Sequence, residues 1–273
     1  MSIQEPPRPL LGLLGRTLGH SYSKLMFDSV LPAAQETHRF QLFEMQAQDI
    51  PRLVSDFRAV PLGGFSVTVP YKIEIVRHLD SLQGDASVLG AVNSVSAREG
   101  TLTGHNTDSA AFQACIQEEA EGVSAALVLG AGGAAKAAVL ALERLNVGRI
   151  LVAARRREQV EEDPFLSSRA RHIPFEKEAL QECAVSCEVL VNATPVGMSP
   201  DDHSSPMNQG FNIGQLVYDM VYNPRPTRFL HLAAGIGAQA MDGLEMLARQ
   251  AALSLELWTG QKVDFRLFLE PLF

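Results

Sequence analysis

The sequence has few cysteines, no basic excess and no apolar run of membrane-spanning length, and each shortage removes a class of protein. Cys115, Cys183 and Cys187 are too few for a disulfide framework and lack the paired spacing of a zinc site, so the reading is a reducing compartment and no metal. A formal net charge of −8 argues against a broad surface for nucleic acid or anionic membrane, and neither is expected as a partner. Any anion must then be held by a local cluster. The most membrane-like stretch, residues 123–142, is broken by Gly130, Gly132, Gly133 and Lys136 and reads as strand, turn and helix rather than as a span. The opening MSIQEPPRPL holds no apolar signal segment, which predicts a cytoplasmic protein.

What is present has an α/β rhythm. LLGLLG (10–15), QLFEM (41–45) and GGFSVTVP (63–70) read as strands, the last stopped by Pro70. A helix opens near SYSKLMF, and YKIEIVRHL has helical spacing, which puts Lys72 in the first turn of a helix. AVNSVSAREGTLTGHNTD (91–108) reads as two short strands around a turn. Four apolar runs follow, AALVLG, RILVAA, EVLVNA and QLVYDM, and continuous runs of this kind suit a parallel sheet covered on both faces. Near the end, Leu244, Leu247, Ala248, Ala251, Leu255 and Trp258 form one helical stripe, with Asp242 as candidate N-cap. The fold class predicted is α/β with two α/β lobes: an N-terminal lobe over 1–108 and a Rossmann-like lobe with a parallel sheet over 109–240. A helical segment, 241–273, is left to return to one of them. A ligand is expected in the cleft between two such lobes.

LVLGAGGAA places Gly130, Gly132 and Ala135 at the three positions of a dinucleotide-binding turn, after a strand and before an alanine-rich helix. The free N–H groups and partial positive charge of that helix start favour a pyrophosphate. The next apolar run ends in Arg155, Arg156 and Arg157, where NAD-binding domains carry an acidic residue. Guanidinium groups at that place pair with a 2′-phosphate, which predicts NADP. The plainer alternative, a solvated helix start paired at i,i+4 with Glu161 and Glu162, suits Arg157 better than the two arginines at the strand end.

Other motifs gain meaning from their order. Ser21 and Ser23 open a helix, Lys72 follows a strand, and Asp108 caps another helix, each unremarkable alone. Taken in sequence, GHSYS, GGFSVTVPYK, GAVNS, GHNTD, VLGAGGAA, NATPVGM, YDMVYNPRPT and DGLEMLARQAA resemble the shikimate dehydrogenase family from about residue 11 to 260. The resemblance implies reduction of 3-dehydroshikimate to shikimate with NADPH, on the path to the aromatic amino acids, with a small-molecule substrate and a monomer or homodimer.

By the same resemblance, Lys72 and Asp108 are the catalytic couple. Ser21 and Ser23 hold the substrate carboxylate, Thr68, Asn93, Asp108 and Gln250 contact ring hydroxyls, and Tyr222 lies at the cleft. Gly130, Ala131, Gly132, Gly133 and Ala134 match the pyrophosphate loop, while Arg155 and Arg156 match the 2′-phosphate clamp. Thr194, Met220 and Gly243 match positions near the nicotinamide, and the last helix is implied to rejoin the first lobe. Three positions depart from the family pattern: Ser66 stands for a common Asn, His105 for Asp, and Ala154 with Arg156 for the Asn and Thr of the clamp. His105 is expected to alter packing more than chemistry. Rival readings are an NAD-dependent quinate/shikimate dehydrogenase and a non-catalytic sensor; the arginines oppose the first, and the presence of Lys72, Asp108 and the glycine turn opposes the second.

Overall fold

The computed structural model describes residues 10–19, 21–33 and 39–273; the opening segment and His20 of GHSYS lie outside them. The chain forms two compact units: the described residues up to Thr107 with Ala248–Phe273, and Asp108–Leu247.

In the first unit, β1 (Leu10–Gly15), β2 (Arg39–Glu44), β3 (Leu62–Val67), β4 (Ser81–Leu82), β5 (Ser94–Arg98) and β6 (Thr101–His105) form one sheet in the order β2-β1-β3-β5-β6-β4. β1, β2 and β3 are parallel, and β5 runs against both β3 and β6. The carboxyl ends of β1, β3 and β6 and the start of β5 therefore share one edge. α1 (Ser23–Ala33), α2 (Ile50–Arg58) and α3 (Asp85–Leu89) belong to this unit.

One expectation needs correction. YKIEIVRHL does not form an α-helix: Tyr71–Ile73 is a turn, followed by a five-residue 3₁₀ segment over Glu74–His78. Its apolar spacing misleads because Ile75 is buried while Ile73 is exposed, and the Lys72 carbonyl is taken by the N–H of Val92 at 2.7 Å rather than by a helical partner.

The second unit begins with α4 (Asp108–Ile116). Its strands β7 (Ala125–Leu129), β8 (Arg149–Ala154), β9 (Arg171–Pro174), β10 (Val189–Asn192), β11 (Leu216–Asp219) and β12 (Gln239–Asp242) lie in the order β12-β11-β10-β7-β8-β9, with every pairing parallel. The four apolar runs are the inner strands; β9 and β12 are added at the edges. Leu127, Leu129, Leu151, Ala153, Leu190 and Val217 supply its core. α5 (Gly133–Arg144) carries the buried Lys136, whose Nζ meets Asp163 Oδ2 at 2.5 Å, beyond the short α6 (Glu158–Glu161). α7 (Lys177–Ala184) and α8 (Arg228–Ile236) complete the connections.

α9 (Leu244–Thr259) starts in the second unit and ends in the first, ahead of α10 (Arg266–Leu269). Its stripe is buried except at Leu247, which is half-buried, and Trp258 is wholly enclosed with Phe27, whose ring also stacks on Phe40 at 4.2 Å and meets Phe268 edge-on at 5.1 Å. Such aromatic pairs add about 0.5–1.5 kcal/mol each beyond area burial, which anchors this helix in the first unit. Asp242 stands one residue before the N-cap position, and its Oδ1 still accepts the Leu244 N–H at 3.0 Å.

Candidate active site

Of the substrate residues expected in the first unit, Ser21, Ser23, Ser66, Thr68, Lys72 and Asn93 lie in or next to strand ends at the shared sheet edge, and Gln250 comes from α9. Beyond β1, Ser21 Oγ accepts the Ser23 N–H at 3.3 Å and donates to Ser23 Oγ at 3.1 Å, where α1 begins. Those two hydroxyls and the free N–H groups of the first helical turn suit a carboxylate. Beyond β3, the Thr68 N–H donates to Leu14 O at 2.9 Å and Thr68 O accepts from Tyr71, which sets the turn that carries Lys72.

Asn93, 2% exposed, enters β5 at the same edge. Its Nδ2 donates to Thr107 Oγ1 at 2.8 Å and to Gln250 Oε1 at 3.4 Å, and its Oδ1 accepts the Thr107 N–H at 2.7 Å. Thr107 Oγ1 donates to Gln250 O at 3.2 Å and lies 3.4 Å from Ser254 Oγ. The strap Val92–Asn93 thus holds Lys72 by its carbonyl at one end and, at the other, the residue directly before Asp108. Thr107 and Ser254 are members of this cluster that the motif reading does not single out. Asp108 itself is buried and opens α4 as the first residue of the second unit.

Ser66 and Ser94 face each other in the β3–β5 register, and both hydroxyls are buried without a hydrogen-bond partner. Buried polar groups in that state mark a place for a ligand or water. His105 packs: its Nε2 lies 3.0 Å from Ser96 Oγ, and burial, then the Arg98 charge, lowers its pKa below the usual imidazole value.

In the second unit the expected cofactor residues line the carboxyl edge of the parallel sheet, the place where open α/β sheets bind ligands. Gly130 has φ +108°, a conformation that L side chains rarely adopt, and a Cβ there would lie 3.0 Å from the Thr194 methyl and 3.1 Å from Ala193 O. After Ala131, Gly132 caps α5 with no side-chain bond to its N–H groups, and open space lies where its Cβ would be. Gly133 and Ala134 form the first helical turn. The donors are therefore unblocked, and the turn fits a dinucleotide pyrophosphate.

Ala154 closes β8, buried, with its carbonyl 3.1 Å from His172 Nε2. Arg155 and Arg156 follow on the surface. Arg157 pairs with Glu161 at 2.6 Å, whereas Arg156 is 4.0 Å from Glu158. Thr194 follows β10, Met220 follows β11, and Gly243 follows β12, packed directly against Met220 O so that no Cβ fits. Tyr222, half-buried, lies in this unit beyond β11.

Known proteins show the same arrangement of sequence. Residues 13–95 match the family model described as "Shikimate dehydrogenase substrate binding domain", and residues 243–270 match "Shikimate 5'-dehydrogenase C-terminal domain". A protein from Microcystis aeruginosa named "Shikimate dehydrogenase (NADP(+))" is 34% identical over 284 residues, covering 100% of this chain and 99% of its own length. The chain belongs to the shikimate dehydrogenase family. A crystal structure of shikimate dehydrogenase 1 from Peptoclostridium difficile superimposes with a TM-score of 0.86 at 32% identity, covering 97% of each chain. The shikimate dehydrogenase of Thermus thermophilus, solved in complex with NADP(H) and shikimate, gives a TM-score of 0.81 at 31% identity over 96% of this chain and 98% of that one. The fold class expected from the residues is that of these shikimate dehydrogenases. Among the described residues, no helix is long and apolar enough to cross a membrane.

Proposed function

We propose that the protein is an NADP-dependent shikimate dehydrogenase, reducing 3-dehydroshikimate to shikimate and running in reverse when shikimate is in excess. The observation that carries this reading is the Val92–Asn93 strap: Lys72 O to Val92 N–H, then Asn93 to Thr107, the neighbour of Asp108. A lysine and a carboxylate distant in sequence are each held within one residue of a common rigid segment. Family membership and the carbonyl chemistry of its named members give that segment a purpose.

Ser21 and Ser23 bind the substrate carboxylate, and Thr68, Asn93 and Gln250 bind ring hydroxyls, with Ser66 offering an unpartnered hydroxyl to the same ligand. Bound NADPH supplies the hydride to the ketone carbon. Lys72, as an ammonium, hydrogen-bonds the ketone oxygen, stabilises the negative charge that grows there and gives up the proton that completes the alcohol. Asp108 orients Lys72 and accepts a hydrogen bond from a neighbouring hydroxyl; solvent then returns a proton to the amine. Arg155 and Arg156 favour the 2′-phosphate, so NADP is preferred to NAD.

The test is a spectrophotometric assay at the nicotinamide absorbance, crossing shikimate and quinate with NADP and NAD. Turnover of shikimate with NADP is the expected result. Turnover of quinate with NAD in its place would identify a catabolic enzyme, and binding of shikimate without any turnover would identify a sensor.

A further inference from the structure

The second unit contains a buried polar pair that neither the substrate nor the cofactor residues account for. Asn192 ends β10 and Asp219 ends β11, opposite each other in register, and both are 0% exposed. Asp219 Oδ1 accepts from Asn192 Nδ2 at 2.8 Å and from the Val221 N–H at 3.0 Å, and Oδ2 accepts from Thr227 Oγ1 at 2.7 Å. Asn192 Nδ2 also donates to Val196 O at 3.2 Å, and its Oδ1 accepts from the Thr194 N–H at 3.0 Å and the Thr194 hydroxyl at 2.7 Å. The set closes with one polarity only: an amide on β10 and an acceptor on β11.

What this pair holds is specific. Through Asn192 it fixes Thr194, whose methyl bounds the space at Gly130. Through the Val221 N–H it fixes the turn holding Met220, whose own N–H donates to Asn192 O at 3.0 Å and whose carbonyl abuts Gly243. We propose that Asn192 and Asp219 are positioning residues that set the nicotinamide end of the cofactor site, registering Thr194, Met220 and the glycine turn against one another. This rests on the reading of the second unit as an NADP site. Neither residue needs to touch the ligand.

The chemistry of the pair also says how it behaves with pH. A carboxylate with no cationic partner is costly to bury, and burial pushes Asp219 up to about 6, with Asp242 across β12 adding to the rise. Asp242 is itself paired with Arg225 at 2.7 Å. Of the three donors on Asp219, only the Thr227 hydroxyl can reverse its role and accept. A proton therefore sits on Oδ2, Oδ1 keeps its two donors, and positioning in the native protein survives protonation. Asn192→Asp removes that tolerance, because two carboxylates then face each other and close only by sharing a proton.

The experiment measures NADP+ affinity by fluorescence titration, steady-state rates with shikimate, and amide-exchange protection of Thr194 and Val221 in the protein alone, at pH 6 and pH 8. In Asn192→Asp, NADP+ affinity and kcat should fall about 10–100-fold at pH 8 and recover towards pH 6. KM for shikimate should stay unchanged, and protection at both amides should drop at pH 8. Asn192→Ala combined with Asp219→Asn removes the amide and leaves no carboxylate in the pair, so its loss of NADP+ affinity and of protection should be the same at pH 6 and pH 8. Native protection and pH-flat NADP+ affinity in Asn192→Asp would overturn the proposal. If that variant does not fold at pH 8, the double variant decides, and native NADP+ affinity and protection in a folded double variant overturn the proposal. Failure of the native protein to bind NADP+ would sink the cofactor reading instead, while the protection factors still report on the pair.

Discussion

Asn93 grips Thr107 from both sides, donating to its hydroxyl at 2.8 Å and accepting its backbone N–H at 2.7 Å. The clamp fixes the start of α4 and so the backbone of Asp108. Asn93→Ala leaves a buried N–H and hydroxyl without these partners, a cost of about 1–3 kcal/mol that denaturant unfolding should register. The kinetic cost should fall on the shikimate side, with kcat/KM for shikimate reduced and KM for NADP unchanged. A stability loss without that asymmetry would make the clamp scaffolding alone.

Lys72 sits in a turn rather than in a helix, and its carbonyl is fixed by Val92. If it transfers the proton, Lys72→Ala should lower kcat by about 10²–10⁴-fold. Pre-steady-state measurement of nicotinamide absorbance should place the loss in the chemical step. A rise in KM with kcat intact would reduce Lys72 to a binding residue.

Of the three arginines after β8, Arg157 is engaged with Glu161 at 2.6 Å. Replacing Arg155 and Arg156 together by Ala should cost the NADP reaction about 1.5–3 kcal/mol per charge-assisted bond lost, roughly 10- to 100-fold for each, and leave the NAD rate near its native value. Arg157→Ala should leave the ratio of the two kcat/KM values unchanged. Equal effects from all three would mean a diffuse positive surface rather than a clamp.

The inner strands are legible in the sequence because each is a continuous apolar run, and the helical stripe ending at Trp258 is legible by its spacing. β9 (RHIP) and β12 (QAMD) escape such reading because edge strands need no such run; their burial comes from one neighbour. YKIEIVRHL misleads because a segment beyond it, at Val92, competes for the Lys72 carbonyl, and nothing local announces that partner. The motif residues can be placed from order and resemblance. Thr107 with Ser254, and Asn192 with Asp219, cannot be paired that way: their contacts join positions 147 and 27 residues apart, and only the folded chain decides which threonine or asparagine is held.

Asp219 makes a prediction of opposite sign to that of an ordinary salt-bridged acid. Its pKa is raised from 3.8 to about 6, chiefly by burial, so the folded protein binds this proton more tightly than the unfolded chain does. Stability from this group is then full below the unfolded pKa and is lost as pH rises through the window from about 4 to 6, staying low above it. A rise of that size corresponds to about 2–3 kcal/mol. Asp219→Asn has no proton to lose, keeps an oxygen for Asn192 and Val221, and should be more stable than the native protein at pH 8 by up to that amount. Below about pH 4 the difference should vanish. Urea unfolding of both proteins at pH 4, 5, 6 and 8 reads the gap directly, since other titrating groups cancel between them. A gap that widens on acidification would mean that the three donors outweigh burial and hold the Asp219 carboxyl below its usual range.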